Sequence, residues 1–325
     1  MEQLVKKAAS LEMPAIALTD HGNLFGAVEF YQAAEQVKIK PILGCEIYVA
    51  PGSMHDKKTT NGGKDAAFHM TLLAANDAGY RNLVKLSTAA HLDGFYYKPR
   101  VDRELLSKHS EGLIALSGCL KGEVNMALSG GQEAKAIETA AAYREIFGKE
   151  NFFIELSDHG IEQQRRNRGG LIDIARDLEL GLVATNDVHF LERSHHEAHD
   201  VMICIGTGAM THDEKRMRYV PELYFKSGEE MVALFADRPD AISNTLAIAE
   251  RCNAKLEFGK SKYPDFHPPE GKTREGYLRE LCEEGLERRF GGRATTDPEV
   301  RTRLDYELSV MEKACLLYTS DAADE

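Results

Sequence analysis

Residues 182–190 read Leu-Val-Ala-Thr-Asn-Asp-Val-His-Phe, a short apolar run that ends in polar side chains. The run from Leu182 to Ala184 follows a glycine and predicts a buried strand. The i, i+2 spacing of Asp187 and His189 puts both side chains on one face of an extended chain. A carboxylate and an imidazole aimed at one point are two ligands toward a divalent metal ion. A solvated strand end closed by an Asp turn would carry the same residues.

Residues that can bind metal also lie within or beside four other apolar runs. Helical patterns separate these runs, and parallel strands that alternate with helices can gather one site from distant parts of a chain. The alternation predicts an α/β fold with a mostly parallel sheet. We therefore expect one barrel-like site that collects His21, Glu46, His69, Cys119, Asp187 and His189.

The apolar runs predict strands at residues 15–19, 41–49, 68–75, 113–117, 152–156 and 182–190. Helices are predicted at residues 2–12, 24–37, 79–91, 132–147, 162–179 and 194–205, and then at 229–235, 241–252, 273–290 and 298–313. The chain thus opens on a helix, whereas a strand–helix barrel should begin with a strand. We expect that Met1 is not the natural start and that one strand is missing ahead of it.

The composition limits the classes of partner. The formal net charge is 40 − 52 = −12, so general nucleic-acid binding is disfavoured and DNA would have to meet a local basic patch or a metal ion. Residues 164–168 are one such patch, although a solvated helix face carries the same charges. The six cysteines lack CxxC spacing, and neither a signal peptide nor a membrane-spanning run is evident, which predicts a cytoplasmic protein.

Several polar residues allow two interpretations. His159 follows a predicted strand and could be a ligand, a substrate contact or a cap of the next helix. His195, His196 and His199 lack the HExxH arrangement, so we expect them to lie mostly at the surface or behind the site. Residues 96–100, Tyr-Tyr-Lys-Pro-Arg, read as a surface turn or as a rim that meets a phosphate or a base.

Five motifs together resemble the polymerase and histidinol phosphatase (PHP) domain family, in the form that opens the alpha subunit of bacterial C-family replicative polymerases. They are residues 18–24 (Leu-Thr-Asp-His-Gly-Asn-Leu), 44–46 (Gly-Cys-Glu), 69–74 (His-Met-Thr-Leu-Leu-Ala), 116–119 (Leu-Ser-Gly-Cys) and 185–190 (Thr-Asn-Asp-Val-His-Phe). The resemblance implies a distorted (βα)7 barrel with up to three metal ions. The family's first motif, a His-x-His pair followed by an Asp, is absent here, in keeping with a missing first strand.

Carried over by motif, the resemblance implies metal ligation by His21, Glu46, His69, Cys119, Asp187 and His189. His21, Asp187 and His189 would also be the catalytic members of the site. Zinc or manganese is implied there, and magnesium for the polymerase site of the parent protein. The implied function is DNA replication by a DNA-directed DNA polymerase, with metal-dependent 3′–5′ exonuclease proofreading. Implied partners are DNA primer–template, dNTPs, a separate proofreading exonuclease and the sliding clamp, with no membrane.

Two other functions remain open from the residues: a non-catalytic, metal-stabilised scaffold that docks a separate exonuclease, and a stand-alone phosphoesterase of the histidinol-phosphatase type. The expected domains are a PHP domain at residues 1–258 and, at 259–314, a linker followed by the opening helices of a polymerase core. The polymerase aspartates would lie beyond these helices, so this chain should not polymerise DNA. Residues 315–325 resemble a translated sequencing adapter and are excluded from the fold.

Overall fold

The computed structural model describes residues 1–57, 67–259, 266–293 and 297–313. The chain divides into two compact units, Met1–Leu256 and Glu257–Glu325. Part of the predicted linker, at 260–265, and the whole segment 315–325 lie outside the described residues.

The first unit is built around one sheet of seven strands. Its order is β1-β2-β3-β5-β6-β7, and the two-residue strand β4 pairs with β2 on the side. Within the described residues β1 pairs only with β2 and β7 only with β6, so the sheet stays open between them. The predicted α/β class and distorted barrel are confirmed. The strands are β1 (Ala15–Leu18), β2 (Lys40–Val49), β3 (Phe68–Ala74), β4 (Arg100–Val101), β5 (Leu113–Leu116), β6 (Phe152–Ser157) and β7 (Gly181–Thr185).

Strand β3 runs against its neighbours, which the expectation of a strand–helix barrel did not include. It is antiparallel to both β2 and β5, whereas the other four pairings are parallel. A parallel link needs a crossover, usually a helix, and no helix separates β2 from β3 among the described residues. The beginning of β3 therefore lies at the same edge of the sheet as the carboxyl ends of its parallel neighbours.

Helices follow most strands, close to where the periodicity predicts them. Three short elements, β4, α4 and α5, were not predicted from the sequence, and they are two, six and seven residues long. The helices of the first unit are α1 (Glu2–Ser10), α2 (Ala27–Gln36), α3 (Asp77–Leu92), α4 (Arg103–Lys108), α5 (Glu123–Ser129), α6 (Glu133–Phe147), α7 (Glu162–Asp177), α8 (His196–Thr207), α9 (Gly228–Leu234) and α10 (Pro239–Arg251). Short 3-10 turns lie at Arg193–His195 and Pro221–Leu223.

The buried side chains of the sheet form two main clusters, because alternate residues of each strand lie on opposite faces of the sheet. Side chains such as Leu43, Leu72 and Ile154 pack with buried residues of the helices, including Phe30 of α2 and Tyr143 of α6. The alternate positions, including Ile42, Leu73, Ile114, Phe153 and Val183, form a second cluster with Ile248 and Cys252 at α10. Because side chains alternate along a strand, Glu46 shares the face of Ile42, and Glu155 shares the face of Phe153.

The second unit contains two described helices, α11 (Arg274–Phe290) and α12 (Pro298–Lys313). Arg279 pairs with Asp305 and Arg301 pairs with Glu283, so exposed ion pairs join the two helices. Such exposed pairs contribute little stability each. Both helices were predicted from their periodicity to within one residue.

Candidate metal centre

His21 and Glu46 come together because the pairing of β1 with β2 continues past the end of β1. The Gly22 N–H donates to the Glu46 carbonyl at 2.8 Å, and the Glu46 N–H donates to the Asp20 carbonyl at 3.0 Å. The ring of His91 in α3 donates from Nε2 to the Gly22 carbonyl at 3.0 Å and holds this turn from the other side. His21 Nε2 then lies 3.5 Å from Glu46 Oε1.

His69 reaches the same carboxylate from the neighbouring antiparallel strand. The register pairs Glu46 with Thr71 and Tyr48 with His69, so Glu46 and His69 are diagonal neighbours on one face. Their closest atoms, Glu46 Oε1 and His69 Nδ1, are 2.9 Å apart. The Tyr48 ring packs edge-on against the His69 ring, with centroids 5.1 Å apart, and so limits the orientation of the imidazole.

Cys119 is returned to this point by a tight turn after β5. Gly118 has a φ of +84°, and a Cβ on it would lie 2.3 Å from the His69 carbonyl oxygen. Only glycine fits both requirements without displacement of the chain. The turn brings Cys119 Sγ to 3.7 Å from His69 Nδ1. Glu46, His69 and Cys119 each offer one ligand atom, and these three atoms lie within 4.8 Å of one another.

Asp187 and His189 approach the cluster by a route that differs from the prediction. Strand β7 ends at Thr185 and Asp187 has a φ of +43°, so the expectation of an extended chain is wrong at this point. A turn brings Asp187 Oδ1 to 3.8 Å from His189 Nδ1. The same Nδ1 donates to the Asp187 carbonyl at 2.8 Å, which leaves Nε2 as the His189 atom with a free lone pair. The His189 and His21 ring centroids are 6.1 Å apart.

His159 anchors the turn that carries this pair. Its ring is buried, with Nε2 donating to the Asn186 carbonyl at 2.8 Å and Nδ1 accepting from Gln164 Nε2 at 2.9 Å. Both ring nitrogens have partners, so the interpretation of His159 as a ligand is wrong. The Asn186 side chain is itself held, because its amide donates to the Tyr224 carbonyl and its oxygen accepts from Lys226.

The histidines of α8 lie behind the site or at the surface. His199 packs against His189 and Tyr219, with ring centroids 5.7 and 5.2 Å away. His196 donates from Nε2 to the Tyr219 carbonyl at 2.9 Å, and His195 is exposed. These placements agree with the predicted supporting role.

Two stretches of positive charge are less available to bind a phosphate or DNA than the sequence indicates, because one arginine in each is held by other groups of the protein. Arg100 is buried, and its guanidinium donates to the carbonyls of Gly94, Met54 and Asp56, so it is not part of a surface turn. Lys98 remains exposed, with its ammonium 5.1 Å from the centroid of the Tyr48 ring beside the site. In the 164–168 patch, the Arg168 guanidinium donates hydrogen bonds to both carboxylate oxygens of Asp237.

The electrostatics of the three clustered donors fit a cation. Burial raises the pKa of Cys119 to about 12, and the Glu46 charge adds to this effect. Burial also raises the pKa of Glu46, but the contact with His69 and the charges of His69, His21 and His189 outweigh it, so its pKa is lowered overall. Although Glu46 Oε1 is buried and close to His69, it has no aligned hydrogen bond within the part of the chain that the structure describes. A divalent cation would satisfy this oxygen, and a thiolate, an imidazole and a carboxylate form a suitable donor set.

Glu155 was not among the site residues predicted from the sequence. This carboxylate is buried in the centre of β6, directly beneath the segments that carry Cys119 and Asp187. The available signal was an acidic residue inside the otherwise apolar run of residues 152–156.

Known proteins share both the domain and nearly the full length of this chain. The PHP domain family model matches residues 1–159 of this chain. It is similar to DNA polymerase III subunit alpha of Treponema pallidum, with 42% identity over 313 residues. The same subunit of Borreliella burgdorferi is 41% identical over 314 residues, and that of Thermus aquaticus 42% over 304. The predicted resemblance to the PHP region of this subunit is confirmed.

The aligned part covers most of this chain but a small part of each relative. It amounts to 96% of this chain and 26% of the Treponema protein, 96% and 27% for Borreliella, and 91% and 25% for Thermus. The chain therefore spans about a quarter of the length of these relatives. Among its described helices, none has the length and apolar character needed to cross a membrane.

Proposed function

We propose that this chain is the PHP region of the catalytic subunit of a bacterial replicative DNA polymerase, and that its metal centre removes nucleotides from DNA 3′ ends. The observation that carries the proposal is the meeting of Glu46, His69 and Cys119, where one oxygen of Glu46 has no aligned hydrogen bond to any described residue. The similarity to DNA polymerase III alpha subunits supports a role in DNA replication, and we assign this role to the cytoplasm.

We assign zinc or manganese to this site. Zinc suits the Cys119 thiolate and the His69 imidazole, whereas manganese suits the carboxylates of Glu46 and Asp187. Glu46 Oε1 lies between His21 and His69, so this carboxylate can be shared by ions on its two sides. We expect up to three ions in an intact domain, and magnesium at the polymerase site of the longer protein.

The residues divide by their exposure. Glu46 and His69 are deep, with 10% and 16% of their side chains exposed, whereas the His21 side chain is 52% exposed and that of Asp187 is 34% exposed. We assign the inner residues to holding an ion, and His21 and Asp187 to the side that meets substrate. We place His189 with them because it adjoins Asp187, although its side chain is only 15% exposed. Bound divalent ions would supply Lewis acidity toward a phosphodiester. The inner residues hold the donor atoms in place, and the more exposed side of the metal centre stays open to substrate.

The proposed partners follow from the relatives. They are DNA primer–template and dNTPs, together with other replicase subunits such as the sliding clamp and a proofreading exonuclease. With a net charge of −12, this chain would meet DNA through the metal centre and local cations such as Lys98, beside Tyr48.

A metal-stabilised scaffold is the second candidate function. The observation that favours it is the burial of Glu46 and His69, because an ion enclosed by protein ligands serves as a structural cross-link. In this case the surface would dock a separate exonuclease. A stand-alone phosphoesterase is disfavoured, because similarity to the alpha subunits covers 96% of the chain, beyond the end of the first unit.

The test compares wild type with Asp187→Asn on a mismatched DNA 3′ end. Each protein is stripped of metal, reloaded with zinc or manganese, and assayed for nucleotide release, metal content and thermal midpoint. Asparagine tolerates the left-handed backbone of Asp187 and removes only the charge, so we expect release to fall by roughly 100-fold or more with the fold retained.

The matched control is Asp173→Asn, an exposed helix residue that pairs with Arg176. It should release nucleotides like wild type. If wild type and Asp187→Asn degrade the 3′ end equally while only the thermal midpoint of the latter drops, the ion is structural and the scaffold function is correct.

A further inference from the structure

Glu155 lies at the centre of the first unit without a cationic partner in the described part of the chain. It is 7% exposed and stands on β6 between β5 and β7, on the face that it shares with Phe153. A buried carboxylate is costly unless hydrogen bonds satisfy it. An apolar side chain at this position would continue the core, whereas the carboxylate needs hydrogen bonds to offset its burial.

Both carboxylate oxygens of Glu155 are occupied, one by each neighbouring strand end. Oε2 accepts the Gly118 N–H at 3.1 Å, in the turn that presents Cys119. Oε1 accepts the Thr185 hydroxyl at 2.6 Å, at the end of β7 two residues before Asp187. One side chain therefore contacts the backbone of one ligand-bearing segment and the strand end of the other.

Two more hydrogen bonds support this arrangement, one to the Glu155 backbone and one to Thr185. Its own N–H donates to Ser117 Oγ at 2.9 Å, on the Cys119 side. Ser157 Oγ lies 2.9 Å from Thr185 Oγ1, on the Asp187 side. Because the Thr185 proton is directed to the carboxylate, Ser157 is the donor in that second bond. Glu155 is thus held from both sides, through its backbone and one oxygen on the Cys119 side and through its other oxygen on the Asp187 side.

We propose that Glu155 is a positioning residue that couples the Cys119 turn to the Asp187 turn and thereby sets the separation of the donor atoms offered to metal. The inference rests on the metal-binding part of the proposed function and is independent of nuclease activity. Residues that hydrogen-bond behind metal ligands commonly change metal affinity by 10- to 100-fold.

The experiment measures zinc affinity by competition with a chromophoric chelator, and the visible spectrum of the cobalt-loaded protein. Glu155→Leu should weaken zinc binding by roughly 10- to 100-fold and reduce the thiolate-to-cobalt band of Cys119, because the Gly118 turn loses its anchor. Glu155→Gln should recover much of the affinity. Its amide oxygen can accept from Gly118, and its amide N–H can donate to the Thr185 hydroxyl.

Thr185→Val provides a milder test in case Glu155→Leu does not fold. It is close in shape and removes the two hydrogen bonds of the Thr185 hydroxyl, to Glu155 and to Ser157, both of which lie on the Asp187 side. Zinc binding should weaken by roughly tenfold, at the lower end of the same range, while the Cys119 cobalt band keeps its intensity. A purely structural role for Glu155 would not separate the two signals in this way.

Asp102→Leu is the matched control. Asp102 is also a buried carboxylate that accepts two N–H groups, those of Met54 and Leu105, and neither belongs to the metal centre. It should lower stability and leave zinc affinity unchanged. The inference is overturned if Glu155→Leu and Thr185→Val bind zinc like wild type, or if Asp102→Leu weakens binding equally. If wild type binds no zinc or manganese, the metal-binding proposal itself is wrong, and the inference falls with it.

Discussion

Glu46 Oε1 lies 2.9 Å from His69 Nδ1, although the strands that carry these residues place Glu46 opposite Thr71. The contact is diagonal across an antiparallel pair, and it exists because β3 runs against β2. In a parallel pair the beginning of β3 would lie at the far edge of the sheet. The direction of one strand therefore decides whether the inner donors meet.

Gly118 should be the glycine at this site that is least tolerant of substitution. Gly118→Ala combines a φ of +84° with a Cβ placed 2.3 Å from the His69 carbonyl oxygen. Gly131→Ala is the matched control, because Gly131 has a φ of +69° and open space around it. Denaturant unfolding should show a loss of about 1 kcal/mol for Gly131→Ala and several kcal/mol for Gly118→Ala. Equal losses would mean that the contact with His69 is not restrictive.

Asp187 should be sensitive to substitution even without metal, because of its backbone. Its φ of +43° is accepted by asparagine but disfavoured for alanine. In the presence of a chelator, Asp187→Ala should unfold with roughly 1–2 kcal/mol less free energy than Asp187→Asn. Both variants should bind metal more weakly than wild type. Identical unfolding curves for the two variants would show that this turn is unstrained.

Glu155 should make the metal-free protein less stable as the pH rises. Burial raises its pKa to about 7 from an ordinary value of 4.5, and the charges of Asp187 and Glu46 contribute to this shift. A carboxyl group with a raised folded-state pKa stabilises the fold fully below about pH 4.5, and this contribution disappears as the pH passes 7.

The measurement is the difference in unfolding free energy between wild type and Glu155→Gln, with chelator present, across this pH range. The difference should move against wild type by up to about 3 kcal/mol between pH 4.5 and 8. Glutamine is uncharged throughout and removes only this titration. Parallel curves for the two proteins would contradict the prediction.

Cys119 should react slowly with alkylating agents in the metal-free protein. Burial raises its pKa to about 12, so its thiolate fraction keeps rising by about tenfold per pH unit from pH 7 to 10. A free cysteine levels off above about pH 8.5. Peptide-resolved mass spectrometry after iodoacetamide treatment reports the rate. A plateau near pH 8.5 would contradict the raised pKa.

Zinc should protect Cys119 and leave Cys252 unchanged. Cys252 is a suitable control because it is buried at the end of α10, outside the metal centre, and burial raises its pKa to about 11. Equal protection of both cysteines would indicate general stabilisation of the fold, whereas no protection of Cys119 would exclude it as a ligand.

The strands and longer helices of the first unit follow from apolar periodicity, but the direction of β3 does not. A period of two identifies a strand and its buried face without giving its direction. Direction depends on whether a helix crosses between two strands, and residues 50–67 carry no helical pattern. Strand β4 has two residues, which are too few to show an apolar–polar alternation in the sequence.

The six candidate ligands were predicted from metal-binding residue types at strand boundaries and from the family resemblance, whereas their supporting residues carry no such signal. The structure groups three of the six, Glu46, His69 and Cys119, and the full ligand set stays a prediction. His159 reads equally as a ligand or a cap until its ring partners, Gln164 and Asn186, are known. Arg100 looks exposed because its hydrogen-bond acceptors are backbone carbonyls, which no side-chain pattern reveals. The role of Glu155 depends on which strands lie beside β6, and only the order of strands in the sheet shows this.

The closeness of Glu46, His69 and Cys119 decides how early during synthesis the protein could bind an ion. Their strands, β2, β3 and β5, are consecutive in the sheet, so three donors are available once residue 119 has left the ribosome exit tunnel. Asp187 and His189 are translated later and join from β7, at the other side of β6. An ion captured during synthesis would thus hold the first half of the sheet together on the ribosome, while its final ligands are still to be added.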